Sequence, residues 1–140
     1  MMRKKILFLC THNSCRSQMA EGLINHSLGD RFAAFSAGTE KSRVNPHAIT
    51  VLAELEINIS HQRSKSLDEF AGETFEYVIT LCGSAHEQCP LFFGGVEHVH
   101  IGFDDPSRVT GTEEDILREF RRVRDEIKEK ITEFLLKGQK

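Results

Sequence analysis

Ile6-Leu7-Phe8-Leu9-Cys10-Thr11-His12-Asn13-Ser14-Cys15-Arg16-Ser17-Gln18-Met19-Ala20-Glu21 is the stretch on which the reading of the fold turns. It opens with an unbroken apolar run, Ile6 to Cys10, the pattern of a short strand buried on both faces inside a parallel sheet. A polar turn, Thr11 to Ser14, follows. From about Cys15 to His26 the apolar residues Met19, Ala20, Leu23 and Ile24 recur at helical spacing, and Gly29 supplies a stop. A strand, a tight loop and a helix in immediate succession form the opening unit of an α/β domain.

The rest of the chain repeats the alternation. Phe32 to Ala37 reads as a second strand ending at Gly38. Asn45-Pro46 reads as a helix cap followed by a proline at the first helical position, with a helix from His47 to about Glu56. Glu76 to Cys82 is a β-rich run leading into a Gly/Ser loop, and Val96 to Phe103 reads as a fourth strand. Thr112 and Asp115 form a candidate capping box. The stripe Ile116, Leu117, Phe120, Val123, Ile127, Ile131, Phe134 and Leu135 then marks a long amphipathic helix. Strands alternating with helices predict a doubly wound α/β fold with a four-stranded parallel sheet flanked by helices. With no repeat or linker, residues 1–140 are read as one domain. In such sheets ligands bind at the carboxyl ends of the strands, where the cysteines fall.

The bulk composition excludes several functions. Eighteen Lys and Arg against 21 Asp and Glu give a net charge of -3, so no broad positive field draws nucleic acid, and any anion site is local. The apolar run after Met1-Met2-Arg3-Lys4-Lys5 is shorter than the ~7 to 15 residues of a signal peptide. No stretch approaches the ~18 apolar residues of a membrane span. A cytoplasmic monomer is expected, and in that compartment cysteines serve catalysis, redox chemistry or metals more often than structural crosslinks. All four cysteines therefore call for an explanation.

In Cys10-Thr11-His12-Asn13-Ser14-Cys15-Arg16-Ser17, a cysteine at a strand end precedes an arginine and a hydroxyl residue at a helix start. Backbone N–H groups of residues 11 to 16 can curl around a tetrahedral oxyanion at the positive helix end. Arg16 adds a planar, two-pronged donor. The same field favours an ionised sulfur, so Cys10 is read as the nucleophile.

Here the sequence resembles a known family. Cys10 through Glu21 is similar to the signature of the low-molecular-weight phosphatases and of the thioredoxin-coupled arsenate reductases built on the same fold. The likeness continues through Phe35-Ser36-Ala37-Gly38, Val44-Asn45-Pro46, Val78-Ile79-Thr80-Leu81-Cys82, Phe103-Asp104-Asp105-Pro106 and Arg122-Val123-Arg124-Asp125-Glu126, covering nearly the whole chain. The resemblance implies that Ser17 hydrogen-bonds the Cys10 sulfur, that Asn13 holds the loop's shape, and that Asp105 is the general acid and base. His12 departs from the family, which usually has glycine there. If that position needs a positive φ, histidine costs ~1 kcal/mol or more.

The choice between the two enzymes rests on electrons. A phosphatase needs one thiolate, whereas reducing pentavalent to trivalent arsenic consumes the two electrons released when two thiols become a disulfide. Cys82, at the end of another strand, is placed to attack Cys10 if the two strands are neighbours. Cys89, in the polar segment from Gly83 to Pro90, is placed to take the disulfide over from Cys82. Thioredoxin then reduces Cys82–Cys89, as the resemblance implies, and phosphate or sulfate competes with arsenate. Cys15 is either a core residue at the helix start or an alternative disulfide partner.

Two other readings remain beside the reductase: a low-molecular-weight tyrosine phosphatase, weakened by Ser107 where tyrosine-specific members carry aromatic residues, and a noncatalytic redox or oxyanion sensor. Zinc is disfavoured because Cys-x4-Cys and Cys-x6-Cys lack paired short knuckles. Some reductases of the family hold a potassium ion near the loop. Asn13, Glu21 and Ser36 match its ligand positions, but Lys65 stands in place of an acidic ligand. Its ammonium is expected to substitute for the cation, and no metal or other cofactor is expected.

Overall fold

The computed structural model describes residues 3–83 and 91–137. Four strands, β1 (Lys4–Leu9), β2 (Phe32–Ala37), β3 (Phe75–Thr80) and β4 (Gly95–His100), form a sheet in the order β2-β1-β3-β4. Every pairing is parallel, with Leu9 opposite Ala37 on one side of β1 and Thr80 on the other. The chain therefore winds outward from β1 to β2, then crosses back to β3. That reversal at β1 makes its carboxyl end the crevice of the sheet, and it makes β1 and β3, which precede Cys10 and Cys82, direct neighbours.

Alternation along β1 builds two cores. Ile6 and Phe8 join the buried residues of helices α1 (Arg16–Ser27), α2 (Pro46–Ala53) and α3 (Glu113–Lys137), among them Met19, Leu23, Leu52, Phe120 and Ile127. Leu7 and Leu9 face the other way and pack with Phe70, Phe75 and Val78, closed over by Phe35, Leu67 and Phe92. β4 is an edge strand, and Val96 on it is exposed.

The helix signals act as read. Asn45 Oδ1 accepts the His47 N–H at 2.8 Å with Pro46 at the first helical position. Thr112 and Asp115 exchange hydrogen bonds, each donating its backbone N–H to the other's side chain at 3.1 Å. Element ends shift by a few residues. α2 stops at Ala53 rather than near Glu56, because Glu56 turns left-handed at φ 63° and the Ile57 N–H reaches back to the Leu52 carbonyl. β3 stops at Thr80 and β4 at His100, so Cys82 stands two residues past its strand.

Candidate active site

The turn after β1 is shaped by what holds its carbonyls. The carbonyl oxygens of Thr11, His12, Asn13 and Ser14 accept hydrogen bonds from the Thr39 N–H, the Ser64 hydroxyl, the Gln18 side-chain amide and the Asn45 N–H. In a trans peptide the N–H points opposite to the C=O. A row of carbonyls engaged by the surrounding protein is thus a row of amides turned the other way, the arrangement that cradles an anion. The positive φ this demands falls on Asn13, at 51°, a residue type that tolerates the left-handed region. His12 is not among the positive-φ residues, which removes the backbone cost expected of a histidine there.

Gly38 lets the loop close against β2, for a Cβ there would lie 2.7 to 2.8 Å from the Thr11 and Cys10 carbonyl oxygens and the Asn13 nitrogen.

Cys10 is buried, with its Sγ 2.9 Å from Ser17 Oγ. Asn13 Nδ2 donates to the same hydroxyl oxygen at 2.7 Å. That bond occupies an acceptor site on Ser17 and leaves the hydroxyl proton to point at the sulfur, where it stabilises negative charge. Arg16, also buried, donates from Nη1 to the Phe103 carbonyl at 3.1 Å and places Nη2 3.7 Å from Asp105 Oδ2. Asp105 Oδ1 is held by the Ser107 N–H at 3.0 Å and the Ser107 hydroxyl at 2.7 Å. Its other oxygen faces the arginine. Asp104 instead pairs with Arg122 at 3.0 Å in an exposed position.

Cys10, His12, Ser14, Cys15, Arg16, Asp105 and Ser107 line one hollow of about 30 Å³. That is a space for a small anion, an order of magnitude below the ~300 Å³ and more that drug-sized ligands occupy. A larger hollow of about 330 Å³ on β4 is lined by Leu91, Phe93, His98 and their neighbours and contains none of the predicted site residues.

Cys15 belongs to the buried core. Burial, followed by the negative charge of Asp105 and of Cys10, pushes its thiol up to about 12, so it stays protonated at neutral pH. Alkylation of the reduced protein with iodoacetamide at pH 7.5 is therefore expected to leave Cys15 unmodified. Peptide mapping that finds Cys15 labelled in the folded protein contradicts this.

The Leu81 N–H donates to the Leu9 carbonyl at 2.8 Å, so the segments carrying Cys82 and Cys10 leave the sheet side by side. Cys82 is buried and disulfide-bonded, whereas Cys10 and Cys15 are free thiols. Cys89 lies outside the described residues. Among the described residues no group of three His, Cys, Asp or Glu is arranged to hold a metal ion, and no helix is long and apolar enough to cross a membrane.

Sequence reading did not single out Ser64, Gln18 as a brace for Asn13, or the Phe103 carbonyl as an anchor for Arg16. Ser64 and Phe103 stand 52 and 87 residues from their partners, a separation that no local pattern signals.

Residues 5–140 match the family model of the low molecular weight phosphotyrosine protein phosphatases. The chain is 47% identical over 139 residues to an arsenate reductase of Halalkalibacterium halodurans, covering 99% of this chain and all of that one. A solved arsenate reductase in its phosphate-binding state superposes with a TM-score of 0.81 at 35% identity, covering 96% of this chain and 98% of that one. A thioredoxin-dependent arsenate reductase of Corynebacterium glutamicum superposes with a TM-score of 0.64 at 27% identity, covering 96% of this chain and 63% of that one. With a match of this extent along the loop after β1 and the rest of its length, the chain belongs to the low molecular weight phosphotyrosine protein phosphatase family, on the branch shared with arsenate reductases.

Proposed function

We propose that this chain reduces arsenate to arsenite, using Cys10, Cys82 and Cys89 in turn and thioredoxin as the final reductant. The observation that carries the reading is the juxtaposition at neighbouring strand ends of an oxyanion cradle, holding a free Cys10, and a second cysteine, Cys82, already engaged in a disulfide. A phosphatase has no use for that second sulfur.

Arsenate enters the turn, bound by the amides of residues 11 to 16 and by Arg16. The Cys10 thiolate, stabilised by Ser17, attacks arsenic and forms an S–As bond. Asp105 delivers a proton to the departing oxygen, which leaves as water. The Cys82 thiolate then attacks the Cys10 sulfur. An S–S bond forms, the S–As bond breaks, and its electron pair stays on arsenic, which leaves as arsenite. Cys89 attacks Cys82, releasing the Cys10 thiolate and leaving Cys82–Cys89 as the oxidised pair. The thioredoxin dithiol reduces that pair and is itself oxidised.

The match to a thioredoxin-dependent reductase supports the last step, and the match to a phosphate-binding state supports phosphate or sulfate as competitors for the cradle. The working form in this reading is a cytoplasmic monomer, since the relay needs an environment that keeps thiols reduced. Membership of a phosphatase family and the placement of Asp105 beside Arg16 favour a weak phosphatase side activity at the same site.

The test is a Cys89→Ser enzyme supplied with arsenate, thioredoxin, thioredoxin reductase and NADPH. It should release about one arsenite per molecule and stall with Cys10 joined to Cys82. Continued thioredoxin-linked turnover removes Cys89 from the mechanism.

A further inference from the structure

Behind the oxyanion loop lies a charged cluster that the proposed chemistry does not use. Lys65 is buried, as few lysines are, and its Nζ donates to the Arg63 carbonyl at 2.8 Å while lying 3.8 Å from Glu21 Oε1. The same Glu21 oxygen accepts the Ser36 hydroxyl at 2.5 Å. The Lys65 backbone is tied to the loop from two sides: its N–H donates to Asn13 Oδ1 at 2.8 Å, and its carbonyl accepts the Gly38 N–H at 2.9 Å. Burial pushes Lys65 down and Glu21 up, and the attraction between them pulls each back. Each charge therefore depends on the other being there.

The family resemblance raised an alkali cation at this place, held by Asn13, Glu21 and Ser36. The residues present do not fit one. Asn13 Oδ1 already accepts from the Lys65 N–H and from Gln18 Nε2 at 3.0 Å. The Ser36 hydroxyl is committed to Glu21, and the ammonium stands beside the carboxylate that a metal would need. Both cations would have to share one carboxylate in a buried site, where like charges repel strongly.

We propose that Lys65 is a positioning residue whose buried ammonium, anchored through its own backbone to Asn13 and Gly38, fixes Glu21 and Ser36 behind the oxyanion loop and makes anion binding independent of alkali cations. The role extends the oxyanion-site reading but does not depend on what reaction follows binding, so phosphate binding is the readout rather than arsenate turnover. The loop's anion affinity then reflects how firmly Asn13 is held, because Asn13 both carries the positive φ and donates to Ser17.

The experiment is calorimetric titration of inorganic phosphate into the reduced wild type, Lys65→Met and Lys65→Asp. Each is titrated in KCl and in tetramethylammonium chloride of equal ionic strength, with circular dichroism as the check on folding. The wild-type Kd should agree between the two salts within about twofold, and Lys65→Met should bind about tenfold more weakly in both, as second-layer supports of a site commonly do. Lys65→Asp restores an acidic group and should bind weakly in tetramethylammonium chloride and tighten in KCl. Tightening of the wild type by potassium, phosphate binding by Lys65→Met at the wild-type Kd, or a folded Lys65→Asp that ignores potassium each overturns the assignment. So does a wild type that binds no phosphate, since there is then no cradle to hold. If Lys65→Asp does not fold, the wild type and Lys65→Met decide.

Discussion

Replacing Cys82 by serine should abolish arsenate reduction and leave aryl phosphate hydrolysis near its wild-type rate. In the proposed mechanism the two reactions share their first half: attack by the Cys10 thiolate on a tetrahedral centre held by Arg16 and the loop amides, with Asp105 as proton donor. All of those groups lie on the turn after β1, the start of α1 or the segment after β4, and Cys82 belongs to none of these. After the first attack water can finish the phosphate reaction, because no oxidation state changes. Arsenic must receive two electrons, and in the proposed relay it keeps the S–As bonding pair when a second thiolate attacks the Cys10 sulfur. Cys10→Ser should remove both activities, since a serine hydroxyl is not ionised in this loop at neutral pH. Both variants are to be assayed for both reactions, with Cys15 also replaced so that no spare thiol substitutes. Catalytic arsenate reduction without Cys82 and Cys15 ends the three-cysteine relay.

Gly38→Ala should lower the efficiency of arsenate reduction by about 10²-fold while the chain still folds, because the added methyl group meets the site's own main chain. A Cβ at residue 38 would stand 2.7 Å from the Thr11 oxygen and 2.8 Å from the Cys10 oxygen and the Asn13 nitrogen, all backbone atoms that cannot swing aside. Gly38 is itself fixed, with its N–H on the Lys65 carbonyl and its carbonyl receiving the Leu67 N–H. The loop is therefore what must move. A displacement of about 1 Å in a preorganised site costs on the order of 10²-fold in rate, and overpacking costs about 1–3 kcal/mol in stability. Steady-state kinetics with a urea melt separate the two effects. Wild-type kcat/KM in Gly38→Ala would mean that the loop is not shaped by this approach.

The fold was legible wherever the signal was local. The apolar run of β1, the Asn45-Pro46 start of α2 and the Thr112/Asp115 exchange at the head of α3 each name an element within a few residues, and each forms. Strand and helix ends were less legible: the stop of α2 depends on the left-handed turn at Glu56, a residue type with no preference for it. The site was legible as a set of residue types on one short loop, while its geometry was not. Sequence pointed to His12 as the strained position because of what usually stands there, yet the strain sits one residue later, on Asn13, whose side chain is bonded to Ser17, Gln18 and Lys65. Cys15 shows the same limit. Its spacing permits a redox role, and only the packing around it reveals a thiol that burial keeps protonated.

The four loop carbonyls taken by Thr39, Ser64, Gln18 and Asn45 also set an order of events in the life of the chain. Three of these four partners come from segments outside the loop and its helix, brought in only when β2, α2 and the stretch before the Leu67–Phe70 turn have docked. Contacts this distant in sequence carry the loop-closure entropy of bringing their segments together. A nascent chain that has emerged only as far as α1 therefore carries every residue of the loop but only one of the four partners that hold its carbonyls, Gln18. The loop's carbonyls are fully held only once the segments carrying Thr39, Asn45 and Ser64 are in place, so oxyanion binding would report on the docking of those three segments.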